Sequence, residues 1–372
     1  MKRAWPLAAV GLALLACWDF EGQYQRCLDT GRCSDGGGGR DGGDGGDGGG
    51  GDAGDGGGGT TCPTGAPTGN GLCLVARYDR RAPMYGIYAA SPDQIFFGGH
   101  DEAVSTWSGG ALQDGVTGLL NGYEMADLSG TAPNAIWAAL ITLGSSSDVY
   151  RYDGSQWRDV MPGAFTGGDC RGVWSEDPAA AWLACDQGIY QVTSAGGIQR
   201  VNTSTSIAFN GVWGLPGGTA WAVGGDSTAG TANIWERRSG TWRGIAFVGE
   251  GVLKAVHGRN DHDVWAVGQG PSLMHLDDAG WQSIGSALAG SLQDVFAASD
   301  GETWITAGSN RVMVISPDGG QRTFVPPGVP GVPGSIFLQQ VQVFDTGDVW
   351  FTGVTDDGGT ELNGLEMHYV KL

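Results

Sequence analysis

Seven times along this chain an apolar or aromatic doublet is followed, after a short polar turn, by a strand-like run centred on an aromatic residue. The clearest copies are Val173-Trp174 with Trp182, Val212-Trp213 with Trp221, Val256-His257 with Trp265, and Val295-Phe296 with Trp304. Weaker copies are Ile87-Tyr88 with Phe96, Asp127-Leu128 with Trp137, and Val343-Phe344 with Trp350. A repeat of about 40–45 residues holding several short strands constrains a chain to a radial β-propeller, because each unit can bury its apolar faces only against its neighbours.

The runs between the turns read as strands. Asp263–Gly268 (DVWAVG) is rich in β-branched and aromatic residues and bounded by Asp, Asn and Gly, the composition of a buried strand. A third strand follows in each copy, as at 233–237 and 272–276, then a Gly-containing turn and a fourth, as at 240–245, 280–284 and 154–160. Four antiparallel strands per copy make one blade. The expected fold is therefore all-β, a propeller of seven four-stranded blades, with six or eight if a degenerate copy is misjudged. The last copy supplies only three strands, so the orphan segment Leu72 to Arg77 is expected to give its fourth and close the ring. Closure removes two open strand edges that would template aggregation.

Loop lengths separate two faces. From doublet to aromatic the gap is eight residues in five copies, nine in the Asp127-Leu128 copy and six in the Val343-Phe344 copy. The second-to-third connection varies widely, short at 185–188 and long at 143–148, 225–232 and 355–364. That connection and the blade-to-blade connection open on one face, which becomes the expected binding face.

The N-terminus reads as a processing signal. Lys2 and Arg3 precede an apolar run, Leu7 to Leu15, that is too short to span a bilayer. Leu14-Leu15-Ala16-Cys17 resembles the lipobox of bacterial lipoproteins. The resemblance implies removal of residues 1–16, lipidation of Cys17 and membrane attachment through the acyl chains, with residues 17–35 as the lipidated N-terminal segment. Trp18 stands where enterobacterial sorting places an inner-membrane aspartate, which leans the expectation toward the outer membrane or cell surface. The expected tether is 36–61; within it, residues 36–59 hold 17 glycines and five aspartates, too little apolar surface to order a segment. Its root-mean-square span is about 25–30 Å by Gly-rich coil scaling. The propeller is expected over 62–372.

The cysteines suit an oxidising compartment, since six remain once Cys17 is set aside. If Trp174 faces Trp182 in an antiparallel hairpin, Cys170 and Cys185 fall nearly opposite each other, within disulfide reach. Cys27 with Cys33 and Cys62 with Cys73 are the remaining short-loop pairs, argued from proximity. No Cys-x-x-Cys and no Cys-His cluster is present, so no metal and no cofactor is expected.

The propeller region as a whole resembles the Val-Trp-Ala-Val-Gly class of propeller repeats in bacterial secreted and surface lipoproteins. Its tryptophans, 13 of 15 between Trp107 and Trp350, mostly recur at one strand position, the behaviour of packing residues rather than of stacking platforms. Trp107, Trp157, Trp242 and Trp281, on outer strands, are the ones open to partial exposure. The weak ligand candidates are His257, placed where other copies carry Trp, Tyr or Phe, and the acids Asp226 and Glu361. Asp261, His262 and Asp263 read as turn capping and solvation.

No nucleophile elbow, phosphate loop or zinc-protease motif occurs. The net charge of −20 argues against nucleic acid or anionic lipid as partners, which need a cationic footprint. The expectation is a monomeric, lipid-anchored, non-enzymatic module binding a protein or glycan at the cell envelope. The alternatives are a polysaccharide hydrolase or lyase of propeller type and an envelope-assembly scaffold.

Overall fold

The computed structural model describes residues 62–80, 83–100, 104–114, 123–142, 147–161, 165–201, 207–245, 251–329, 336–356 and 362–372. Cys17, Cys27, Cys33, Glu361, the processing signal and the tether at 36–61 lie outside them. All described residues fall in one unit, Gly57–Gly358 with Leu362–Leu372.

The alternating strand pattern folds into seven antiparallel sheets, six of four strands and one of five. Each is one blade, and their inner strands contact one another in a closed ring. In chain order these inner strands are Met84–Ser91, Tyr123–Ala132, Cys170–Asp177, Ala208–Gly214, Leu253–Asn260, Leu292–Ala297 and Ile336–Val343, of blades 1 to 7. Blade 7 takes Asp348–Thr355 and Asn363–Lys371 from the C-terminus and Leu72–Arg80 from the N-terminus. Leu72–Arg80 pairs antiparallel with Asn363–Lys371, the expected closure, and the two-residue strand Thr68–Gly69 covers its outer edge.

The register corrects two of the seven doublets. Ser129, not Leu128, faces Trp137, and Gln342, not Phe344, faces Trp350. With Tyr88–Phe96, Trp174–Trp182, Trp213–Trp221, His257–Trp265 and Phe296–Trp304 also opposed, the spacing is eight residues in all seven blades. The true doublets are Leu128-Ser129 and Val341-Gln342. Both carry a polar second residue, which hid them from a search for aromatic pairs.

The apolar core is divided into seven wedges, one per seam between adjacent blades. Trp182 packs with Phe209, Val212 and Trp242 between blades 3 and 4, and Trp221 with Val256, Val264 and Met274 between blades 4 and 5. Trp350 packs with Ile87, Phe97 and Trp107 between blades 7 and 1, so the closing seam is as apolar as the rest. Trp137, Trp221, Trp304 and Trp350 are fully buried. At about 25 cal/mol per Å² over roughly 150–250 Å², each such ring contributes several kcal/mol. Trp107, Trp157 and Trp242 are buried as well, and only Trp281 of the outer-strand set is half-buried.

Candidate binding face and central channel

Every inner strand carries one extra residue near its start, a β-bulge beside the second-to-third-strand connection. A bulge turns one side chain out of the regular alternation. In blades 1 to 7 the turned residues are Tyr85, Ala126, Arg171, Asn210, Lys254, Gln293 and Gln339. All seven are half-buried, while the strand residue just before each is buried in every blade. They form a rim at the end of the channel that opens among the variable loops. None of the seven is acidic, in a chain of net charge −20.

Rim residues are held by their neighbours. The Asn210 amide donates to the Leu253 carbonyl at 2.7 Å, and the Lys254 amine to Gln293 Oε1 at 2.7 Å, each reaching the next blade. Arg171 donates to Asp169 at 3.0 Å and also to Asp186, which sits in the loop after Cys185. Cys170 and Cys185 are directly opposed and joined as a disulfide, which fixes the start of that loop. The bulge at Arg171 is what brings them level: Gly172 faces Ala184, and one skipped residue later Cys170 faces Cys185. Cys62–Cys73 is the second disulfide and ties the N-terminal approach to the closing strand.

One step deeper lie Gly86, Asp127, Gly172, Gly211, Ala255, Asp294 and Gln340. Asp127 accepts from the Val173 N–H of blade 3 at 2.9 Å and from its own neighbour Leu128 at 2.9 Å. Asp294 accepts from the Val341 N–H of blade 7 at 3.0 Å. Gln340 accepts from the Ile87 N–H of blade 1 at 2.7 Å and donates to Asp127 of blade 2 at 3.2 Å. Burial pushes the Asp127 carboxyl up to about 6 against three hydrogen bonds that pull it down. It pushes Asp294 up to about 7, with the Asp127 charge adding to the rise. In the sequence Asp127 reads as half of a doublet, and Asp294 and Gln340 do not stand out. Their signal is a polar residue immediately before each true doublet.

His257 lies in the inner strand of blade 5, between Trp213 and Phe296, with ring centroids 4.9 and 4.3 Å away. Its Nδ1 accepts from the Ala297 N–H of blade 6 at 3.1 Å. Burial, and then the nearby Arg259 charge, pull its pKa down to about 3, so the ring is neutral. It serves as a seam acceptor. Asp226 sits on the loop face at the end of Ala220–Asp226, where it accepts from Thr228 and Ala229 N–H at 2.9 and 3.0 Å and shapes its own loop. The two candidates thus occupy different layers, and each has a local partner.

Asp263 is not a turn cap. It accepts from Trp265 Nε1 at 2.8 Å, from His275 Nε2 at 2.9 Å and from Arg259, while His275 stacks on Trp265 with centroids 3.8 Å apart. Burial raises its pKa, but the His275 and Arg259 contacts prevail and hold it at about 2. Blade 7 repeats the arrangement: His368 bonds Asp348 at 2.6 Å and stacks on Trp350 at 4.3 Å. The turn itself is capped by Asn260, which accepts from His262 N–H at 2.8 Å.

On the opposite, short-turn face a polar notch lies between blades 6 and 7, lined in part by Ser299, Asp300, Asp345 and Lys371. Lys371 is spent on Asp300 and Glu302, at 2.6 and 3.0 Å, and Ser299 on Asp345. Among the described residues no three His, Cys, Asp or Glu side chains gather as a metal site.

No protein-family model and no curated protein matches the chain. Solved structures of similar fold include YCF48 bound to D1 peptide, at 16% identity and a TM-score of 0.59, covering 82% of this chain and 98% of that one. The WD40 β-propeller domain of Doa1 matches at 11% identity and 0.59, with the same coverage. The extracellular domain of the hybrid two-component system BT3049 from B. thetaiotaomicron matches at 12% and 0.54, covering 76% of this chain and 40% of that one. At these identities the likeness is one of fold, and it agrees with the seven-bladed ring.

Proposed function

We propose that this chain is a lipid-anchored, extracytoplasmic propeller that binds a protein or peptide over the variable-loop mouth of its channel and does no chemistry there. The observation that carries the reading is the rim of seven bulge side chains, free of carboxylate and rich in amide and cationic donors. Such a rim complements backbone carbonyls and acidic groups of an extended ligand. The similar fold of YCF48, solved with a bound peptide, supports a peptide over a glycan. The lipobox at Cys17, the tether at 36–61 and two disulfides support an oxidising, membrane-tethered setting.

A polysaccharide hydrolase would need acids open to substrate. Asp127 and Asp294, the two carboxylates one step below the rim, each accept a backbone N–H of the next blade instead, which favours binding. Labelling with radioactive palmitate tests the anchor: Cys17→Ser should abolish incorporation, and unchanged incorporation would refute it. Screening the chain against arrayed peptides and envelope glycans, with products analysed by mass spectrometry, tests the activity. Retained peptide without turnover is expected; glycan cleavage would overturn the reading.

A further inference from the structure

Charge is spread unevenly over the two faces of blades 5 and 6. Five described segments of these blades reach the mouth: 251–254, 268–273, 284–293, 307–312 and 324–329. None of them contains Asp or Glu, and they carry Lys254 and Arg311. The short-turn face of the same two blades carries Asp261, Asp277, Asp278, Asp300, Glu302 and Asp318. In a chain of net charge −20, a carboxylate-free stretch of this extent sets one part of the mouth apart as favourable ground for an anion.

The seam itself supplies the donors. Lys254 Nζ reaches from blade 5 to Gln293 Oε1 of blade 6 at 2.7 Å. That bond turns the Gln293 carbonyl toward the ammonium and leaves the two N–H groups of Nε2 to face elsewhere. Nε2 lies against Gly308, where a β-carbon would stand 2.5 Å from it, and it has no acceptor among the described residues. The Gly308 N–H donates to the Ser291 carbonyl at 2.9 Å, which sets Ser291 on the same edge. The Ser291 hydroxyl is buried and makes no hydrogen bond among the described residues. A buried hydroxyl without a partner is costly unless another group completes it.

We propose that the mouth of the seam between blades 5 and 6 is a carboxylate seat, in which Lys254, Gln293 and Ser291 hold an acidic side chain or the free C-terminus of a bound peptide.

An ammonium, an amide N–H and a hydroxyl suit the two oxygens of a carboxylate, with the bond from Lys254 charge-assisted and so the strongest of the three. A neutral glycan would use the donors but not the charge. The other rim cation, Arg171 of blade 3, is already engaged by Asp169 and Asp186. Asp294, one step below Gln293, turns an oxygen to the Val341 N–H of blade 7. Arg311, exposed on the turn after Ala307, adds positive potential from the outer side. The seat rests on the peptide-binding mouth proposed above and adds the chemical group that this mouth selects.

The test uses the full chain and four libraries of N-acetylated decapeptides, with or without glutamate and with a free or an amidated C-terminus. Libraries that carry a carboxylate should bind the wild type roughly tenfold more tightly than the acid-free amidated one. Lys254→Gln should remove that preference, Ser291→Ala should reduce it, and raised salt should weaken it. Preference for glutamate identifies a side chain as the source, and preference for the free acid identifies the C-terminus. Carbodiimide coupling, which joins a carboxylate to an amine, needs no variant. The sequence has three lysines, Lys2, Lys254 and Lys371, and the last is engaged by Asp300 and Glu302 on the opposite face. Peptide conjugates should map to Lys254. Conjugates at Lys371 alone would overturn the seat. Equal binding of acidic and acid-free libraries, lost on Gln339→Ala or Arg171→Ala but not on Lys254→Gln, would also overturn it while leaving the peptide-binding mouth standing. Binding by none of the libraries would overturn both.

Discussion

The indole of Trp174 lies where a side chain on Gly214 would be: a β-carbon there would stand 2.7 Å from Cη2 of the ring. The relation recurs one blade on, where a β-carbon on Gly258 would meet Trp213 Cζ3 at 3.0 Å, and at Gly130, where it would meet Tyr88 Cζ at 2.8 Å. A tryptophan or tyrosine second residue in one doublet is thus met by glycine after the doublet of the next blade, whereas the smaller rings of His257 and Phe296 are followed there by Ala297 and Val343. Where the second residue is small, the rule changes: Ser129 accepts from the Ser175 N–H at 3.2 Å. Gly214→Ala and Gly258→Ala should each cost about 1–3 kcal/mol by overpacking, measured by denaturant unfolding. A neutral result at both would mean that the rings have room to move.

The Asp263–Trp265–His275 cluster should be a stability element of blade 5. Asp263→Asn keeps the shape but removes the charge that His275 and Arg259 bond, and a loss of about 1.5–3 kcal/mol is expected at pH 7. Since the folded pKa is depressed to about 2, this contribution is present above the unfolded value near 3.9 and fades as pH falls through about 2. The wild-type advantage over Asp263→Asn should accordingly shrink in acid. Thermal melts at pH 7 and below pH 3 check it, and a difference that grows in acid would contradict the assignment.

His257→Phe should preserve stacking between Trp213 and Phe296 but leave the Ala297 N–H without its acceptor. At pH 8 a cost of about 1–3 kcal/mol is expected. The folded histidine stays neutral to about pH 3, whereas the unfolded one charges near 6.5, so the wild type loses stability as pH drops between those values. The gap between variant and wild type should close from pH 8 to pH 5. A constant gap would mean that His257 is charged in the fold.

Cys170–Cys185 closes a loop with a sequence separation of 15, for which chain entropy gives about 3 kcal/mol. Replacing both by Ser should lower stability by roughly that amount. Both half-cystines are fully buried, so mild reductant acting on the native fold should leave this bond intact. Mass mapping of thiols after brief reduction, without denaturant, checks the point.

The blade plan was legible in the sequence because it rests on local signals, the doublet, the turn and the aromatic, repeated at fixed spacing. The closing strand, expected over Leu72 to Arg77 and found over Leu72–Arg80, followed from the missing fourth strand of the last copy, and the Cys170–Cys185 pair from counting residues across a hairpin. What escaped were the polar elements: Ser129 and Gln342 at doublet positions, and Asp127, Asp294 and Gln340 before the doublets. Apolar periodicity is blind to a residue whose role is to accept one N–H from the next blade, because that partner lies 46 residues away for Asp127, 47 for Asp294 and 253 for Gln340. The rim was hidden for a related reason. A bulge shifts one residue out of the alternation, and alternation was the signal being read.

The central claim is that ligand is held at the rim, and binding of peptides selected on the wild-type chain tests it most directly. Titrations should compare the wild type with Arg171→Ala/Lys254→Ala and with His262→Ala, the latter on the opposite turn face. The expected result is at least a tenfold loss of affinity, about 1.4 kcal/mol, for the rim variant and none for His262→Ala. Equal affinity for all three chains would place the ligand elsewhere on the propeller and contradict the account.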